Sequence, residues 1–267
     1  MRKKDLKKLA EDSKFIPGIY NYCDRWCERC QFTSRCLNHT LGEEQFGDLH
    51  ALDLNNAAFW EKLRETLNET ISMLSEIAEA HGIDLDSMEI ETDSKNKGHR
   101  ESKQAVHIVS HISKTYVDMV DTWFDSCKFL LEQKEDELDK NSGPKLVPFE
   151  SIHNAVTLQD SLEVIRWYQH QIYVKIARAI KSRDNEDSMD FHDYPKDSDG
   201  SAKVALIGID RSISAWWELL KHFSTQKDAI LKMTLYLNRI RKMMEREFPD
   251  ARAFVRPGFD EIKKVAE

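Results

Sequence analysis

Glycine and proline, the residues that most readily end a helix, are so sparse in this 267-residue chain that long uninterrupted helices are the architecture its backbone best accepts. The 9 glycines and 6 prolines, Gly208 excepted, all fall between stretches whose apolar residues recur every three or four positions. Five such stretches stand out, at 55–81, 102–138, 158–181, 202–223 and 226–248. The first carries Phe59, Leu63, Leu67, Ile71, Leu74 and Ala78 on one face, and the second Val109, Ile112, Tyr116, Val120 and Trp123. Thr157, with Asp160 three residues on, reads as the cap of the third helix, and Ser201 as that of the fourth. Ser224 and Thr225 mark either a new helix start or a kink. Such helices predict an all-α, up-and-down helical bundle over 50–248, with an N-terminal segment 1–49 as an appendage and a C-terminal tail 249–267.

Charge and hydropathy narrow the partners. A formal charge of −8 argues against an overall nucleic-acid footprint, which leaves a protein partner or homo-oligomer open. No apolar run approaches the roughly 18 residues of a membrane span, so no membrane partner is expected. The basic N-terminus MRKKDLKKLAEDSK leads into no apolar signal region, and the expected location is cytoplasmic. The stretch 183–201, with seven acidic and two basic residues, reads as an exposed loop and lacks the residue order of a calcium loop.

Four of the five cysteines, Cys23, Cys27, Cys30 and Cys36, fall within fourteen residues as C-x3-C-x2-C-x5-C, whereas Cys127 lies alone in a helical pattern and reads as a small buried hydrophobe. Disulfides at such spacing would be strained, and the expected compartment is reducing, so the pattern reads as four thiolates on one metal centre. Zinc usually takes two separated C-x2-C pairs, and only one pair is present. A [4Fe–4S] cube tolerates the compressed, irregular spacing, which makes it the expected cofactor and zinc the alternative. Tyr20, Tyr22, Trp26 and Phe32 are placed to shield such a centre from water. His39 reads as a solvated loop histidine, with ligation in place of one thiolate as the alternative.

Two local resemblances bear on this segment. CERCQFTSRC, from Cys27 to Cys36, resembles the closing C-x2-C-P-[FY]-x3-C of the iron–sulfur cluster in RecB-type nucleases, with Gln31 where those proteins usually have proline and Phe32 matching. The nuclease core of that family is αβ with Asp and Glu-x-Lys ligands, so the resemblance implies the cluster alone. Cys23, Cys27 and Cys30 are also similar to the C-x3-C-x2-C of radical SAM enzymes, which use an α/β barrel and an open iron that Cys36 is here placed to occupy.

On the helices, candidate catalytic residues are few. His107 and His111 share a stripe with Lys114, Asp118, Asp121 and Asp125 opposite the apolar face, and read as solvated. The third helix is apolar nearly all round, which makes it the expected central helix and suggests partial burial of Glu163 and His170 beside Trp167 and Val174. Asp210 lies at the border of the fourth helix's apolar face, as a partner for Arg or Lys across the bundle or as an acid. Glu163, His170 and Asp210 are thus the weak catalytic candidates. The one Glu-x-x-His, Glu150 to His153, falls before the third helix, which counts against a ferritin-like oxidase. An iron–sulfur protein with a redox or accessory role is the resulting expectation, with a zinc-stapled module binding a protein or nucleic-acid partner as the alternative.

Overall fold

The computed structural model describes residues 9, 11–46, 57–82, 100–141, 149–186 and 196–261. The heart of the acidic stretch, 187–195, and the side chains of His107, Glu150 and His153 lie outside the described residues. Among the described residues there are six α-helices and no strand: α1 (Leu37–Phe46), α2 (Ala57–Ala80), α3 (Arg100–Asn141), α4 (Phe149–Glu186), α5 (Asp197–His222) and α6 (Lys227–Glu247). The protein is an all-α helical bundle. Neither the αβ core of the nucleases nor an α/β barrel occurs among the described residues.

The chain divides into two compact units, Met1–Gly98 with Pro257–Glu267, and His99–Arg256. The grouping differs from the 1–49, 50–248 and 249–267 of the sequence pattern: α2 falls with the cysteine segment, and so does the chain from Pro257 onward. In the second unit α3, α4, α5 and α6 run up and down in turn. Arg166 lies over the Phe124 ring at 3.8 Å while Gln169 reaches Val117, so α3 and α4 are antiparallel. Arg178 pairs with Asp197 at 2.6 Å while Arg211 reaches Tyr168, which reverses the chain again between α4 and α5. After Phe223 (φ −123°, ψ 64°) a single 3-10 turn, Ser224–Gln226, starts α6 as a new helix rather than a kink. Lys203 near the start of α5 then donates to the carbonyl of Phe254 beyond the end of α6.

Both caps expected from the sequence lie inside helices. α4 already begins at Phe149, directly after Pro148, so Thr157 is interior and Glu150 to His153 is helical. α5 begins at Asp197 behind the extended Lys196, and Ser201 is a fully buried helical residue. Apolar period marks where a helix begins to pack, which is later than where its backbone begins to coil.

The tightest packing in this unit is α4 against α5. Ser201, Ala205, Gly208, Ser212 and Ala215 form a buried stripe of small residues along α5. Ile165, Tyr168, Ile172 and Ile176 are buried on α4. A Cβ added at Gly208 would stand 2.8 Å from Cδ1 of Tyr168 and 3.3 Å from Cγ1 of Ile172. The polar atoms inside are mostly paired. Trp216 Nε1 donates to the Tyr116 hydroxyl at 3.0 Å, and burial pushes that phenol up, which keeps it neutral. Trp123 stands edge-on to Trp216 with ring centroids 5.0 Å apart. Buried Gln169 donates to the Val117 carbonyl at 3.3 Å and to Asp121 at 2.5 Å, tying α4 to α3.

Gly208→Ala is expected to lower the urea midpoint of the protein. Helix propensity favours Ala by about 1 kcal/mol, but overpacking a buried contact costs about 1 to 3 kcal/mol, and the Tyr168 ring is held by Arg211 and cannot swing aside. A midpoint equal to or above that of the parent, followed by far-UV circular dichroism, would show that the close approach of α4 and α5 is not under strain at this point.

Candidate functional site

The cysteine segment has almost no regular helix before α1, and three short 3-10 turns do its folding: Ile19–Asn21, Cys27–Arg29 and Thr33–Arg35. Gly18 enters the first at φ 72°, a left-handed conformation suited to glycine. Arg25 is left-handed too, at φ 59°, and reverses the chain inside the x3 spacing between Cys23 and Cys27. That conformation is unfavourable for a residue with a Cβ, by about 1 to 2 kcal/mol. Asp24 offsets part of this by accepting the Trp26 N–H at 3.3 Å. The Ile16 N–H reaches the carbonyl of Arg35 at 3.0 Å, which pins the start of the segment to its end. Three reversals in so short a span bring Cys23, Cys27, Cys30 and Cys36 around one small pocket.

The walls of the pocket are largely apolar, with Ile19, Trp26 and Phe32 from the segment itself and Phe259 from the far end of the chain. Phe259 meets Phe32 edge-on at 5.1 Å, and Gly258 (φ 75°) sits where a Cβ would press on Ile16 and Ile19 at 3.0 Å. The stretch expected as a C-terminal tail thus supplies one wall of the cysteine site. Nothing local in the sequence reveals this, although a lone Pro-Gly-Phe after a long helical region was its one available mark.

None of the four cysteines is in a disulfide, and all four residues are partly buried. Burial raises the Cys27 thiol above a cysteine's ordinary value of 9.0, and the nearby thiols of Cys23, Cys36 and Cys30 raise it further, in that order. The Phe32 N–H points at the Cys30 sulfur at 3.4 Å, an arrangement that suits a thiolate. His39, expected in a loop, is instead part-buried in the first turn of α1 and lines the same pocket. Among the described residues no three His, Cys, Asp or Glu side chains are already gathered to hold a metal ion. Tetrahedral zinc needs sulfurs about 2.3 Å from one centre, whereas a cube with an iron at each corner is met from around its edge. Four thiols around one pocket are a donor set that either group could use.

The helical candidates lie elsewhere and do not gather. Glu163 and His170 are exposed, against the expected partial burial, because the bundle covers a single arc of α4 and leaves the side bearing Val174 (56% exposed) to solvent. Gln159 bonds to Glu163 along the same helix at 3.1 Å. Asp210 bridges Arg252 at 2.7 Å and Arg241 at 3.3 Å, and the groove it lines between α4 and α5 includes neither Glu163 nor His170. His111 is exposed, as expected, and Cys127 is fully buried. The apolar stripe of α2 is largely uncovered: Leu67, Ile71 and Leu74 are 53, 60 and 57% exposed, and of the face's described side chains, which leave out Phe59, only Ala78 is buried. No described helix is long and apolar enough to cross a membrane.

The chain matches no protein-family model, no curated protein and no solved structure.

Three outcomes follow from the pocket. Because ligation needs thiolate and the Cys27 proton is held above 9.0, metal take-up by the reduced protein should tighten as pH rises from about 6.5 to 8.5, by up to about tenfold per pH unit for this one proton. The same raised value means that the metal-free fold is favoured while Cys27 is protonated and loses that contribution as pH climbs past 9.0. Phe259→Ala opens the wall, lessens the burial of the thiols and should speed their alkylation several-fold at pH 8, as read by mass spectrometry. An unchanged rate would mean that Phe259 does not shield them.

Proposed function

We propose that the protein holds a [4Fe–4S] cluster on Cys23, Cys27, Cys30 and Cys36 and has a redox or accessory role. The observation that carries this is the arrangement of all four cysteines of C-x3-C-x2-C-x5-C around one largely apolar pocket. When bound, such a cluster supplies one-electron transfer at a potential tuned by hydrogen bonds to its sulfurs and by exposure. The residues of the chain have distinct parts in this. The four thiolates complete the ligand set, so no corner is left for a substrate, and the segment transfers electrons or keeps its shape. The Phe32 N–H takes up charge on the Cys30 sulfur, and Trp26, Phe32 and Phe259 limit water at the pocket. The resemblance of Cys27 to Cys36 to the cluster segment of RecB-type nucleases supports three of these ligands, Cys27, Cys30 and Cys36.

A zinc-stapled module binding a protein or nucleic-acid partner is the second reading, and the uncovered stripe of α2 favours it. Metal analysis separates the two. Protein purified without oxygen should be brown and contain about four irons and four sulfides per chain. Substituting any one of the four cysteines by serine should lower that content while the helical circular dichroism signal stays. One zinc per chain with no iron would overturn the cluster reading in favour of the second.

A further inference from the structure

We infer that His39 is a positioning residue for the cluster, donating an imidazole N–H to its sulfur ligands and so setting its potential. This rests on the [4Fe–4S] reading above and goes beyond it, since His39 belongs to none of the four ligands.

Placement is the first support. The Thr40 N–H bonds to the Cys36 carbonyl at 3.0 Å, the first hydrogen bond of α1, so Cys36 stands at the cap of the helix and His39 three residues on, in its first turn. Residues three apart at this point of a helix share a face, with Cβ atoms about 5 to 6 Å apart. Both side chains line the same pocket. His39 is therefore carried by a regular helix beside a sulfur, where its ring is held more rigidly than on a loop.

Lack of a partner is the second. His39 is part-buried, yet it has no hydrogen bond, ion pair or ring contact among the described residues. Other polar neighbours on the pocket wall are differently engaged: Asp24 accepts from the Trp26 N–H, and Trp26 carries the Arg29 guanidinium 4.0 Å from its ring. Tyr20 also lines the pocket and is the natural comparison. A neutral imidazole always has one N–H to give, and a thiolate or sulfide is the acceptor this pocket would offer it. Such a bond draws electron density from sulfur and favours the reduced, more negative state, so it raises the potential.

The experiment compares the full-length parent with His39→Ala, His39→Gln and Tyr20→Phe, each prepared without oxygen. Iron and sulfide content, far-UV circular dichroism, midpoint potential and the electron paramagnetic resonance spectrum of the reduced protein are measured on the same samples. His39→Ala should keep the parent content and helicity while its potential moves to more negative values and its spectrum changes. His39→Gln, which retains an N–H donor, should recover part of the shift, and Tyr20→Phe should show none. A His39→Ala potential equal to that of the parent overturns the inference and leaves the cluster reading intact. Loss of iron in His39→Ala with the helical signal unchanged also overturns it, by making His39 a ligand. A parent without iron and sulfide overturns the cluster reading, and this inference with it.

Discussion

Thiols gathered around one partly buried pocket repel one another as soon as they ionise, and the fold of residues 15–40 is organised around holding them there. Burial and three neighbouring sulfurs keep the Cys27 proton on in the metal-free protein. Against that repulsion stand short-range devices: three 3-10 turns, a glycine and an arginine in left-handed conformations, and the bond from Ile16 to Arg35 that closes the segment on itself. Residues 15–40 have little regular structure, and among them only Phe15 and Ile19 are buried hydrophobics, a small core to hold the segment without help. A bound metal group would offset that repulsion by taking up the negative charge.

The bundle has no such dependence. Its core is built from side chains that interlock without a ligand, with Tyr116, Trp123 and Trp216 in the interior and the small residues of α5 allowing close approach to α4. Its ion pairs, Arg178 with Asp197 and Arg241 and Arg252 with Asp210, are partly exposed, so they contribute orientation more than stability. Asp210 is thereby accounted for as an interhelical tie. Glu163 and His170 stand on the exposed arc of α4, outside the groove that Asp210 lines.

How far the chain can be read without its contacts depends on the range over which each feature acts. The helices and the face of α3 from Val109 to Trp123 follow from a 3.6-residue period, a local property, and that face is buried as expected. The cysteine set is equally local, because four sulfurs within fourteen residues can converge only through turns among themselves. Helix starts were less legible: Phe149 and Asp197 begin helices one or more turns before any apolar stripe. An apolar circumference around α4 could not say which arc a neighbour would cover, and so the burial of Glu163 and His170 was misplaced.

Period and spacing along the chain were therefore enough for the all-α class, the core face of α3 and the identity of the four thiols, since each depends on residues within a few turns of one another. Contact between distant residues decided the rest. Phe259 joins the cysteine pocket across more than 200 residues, His39 turns toward it only because α1 starts at Leu37, and α2 is grouped with the cysteine segment rather than the bundle. An apolar stripe records that a helix gains by being covered. Which surface covers it is a property of shape and packing in three dimensions, which no one-dimensional pattern contains.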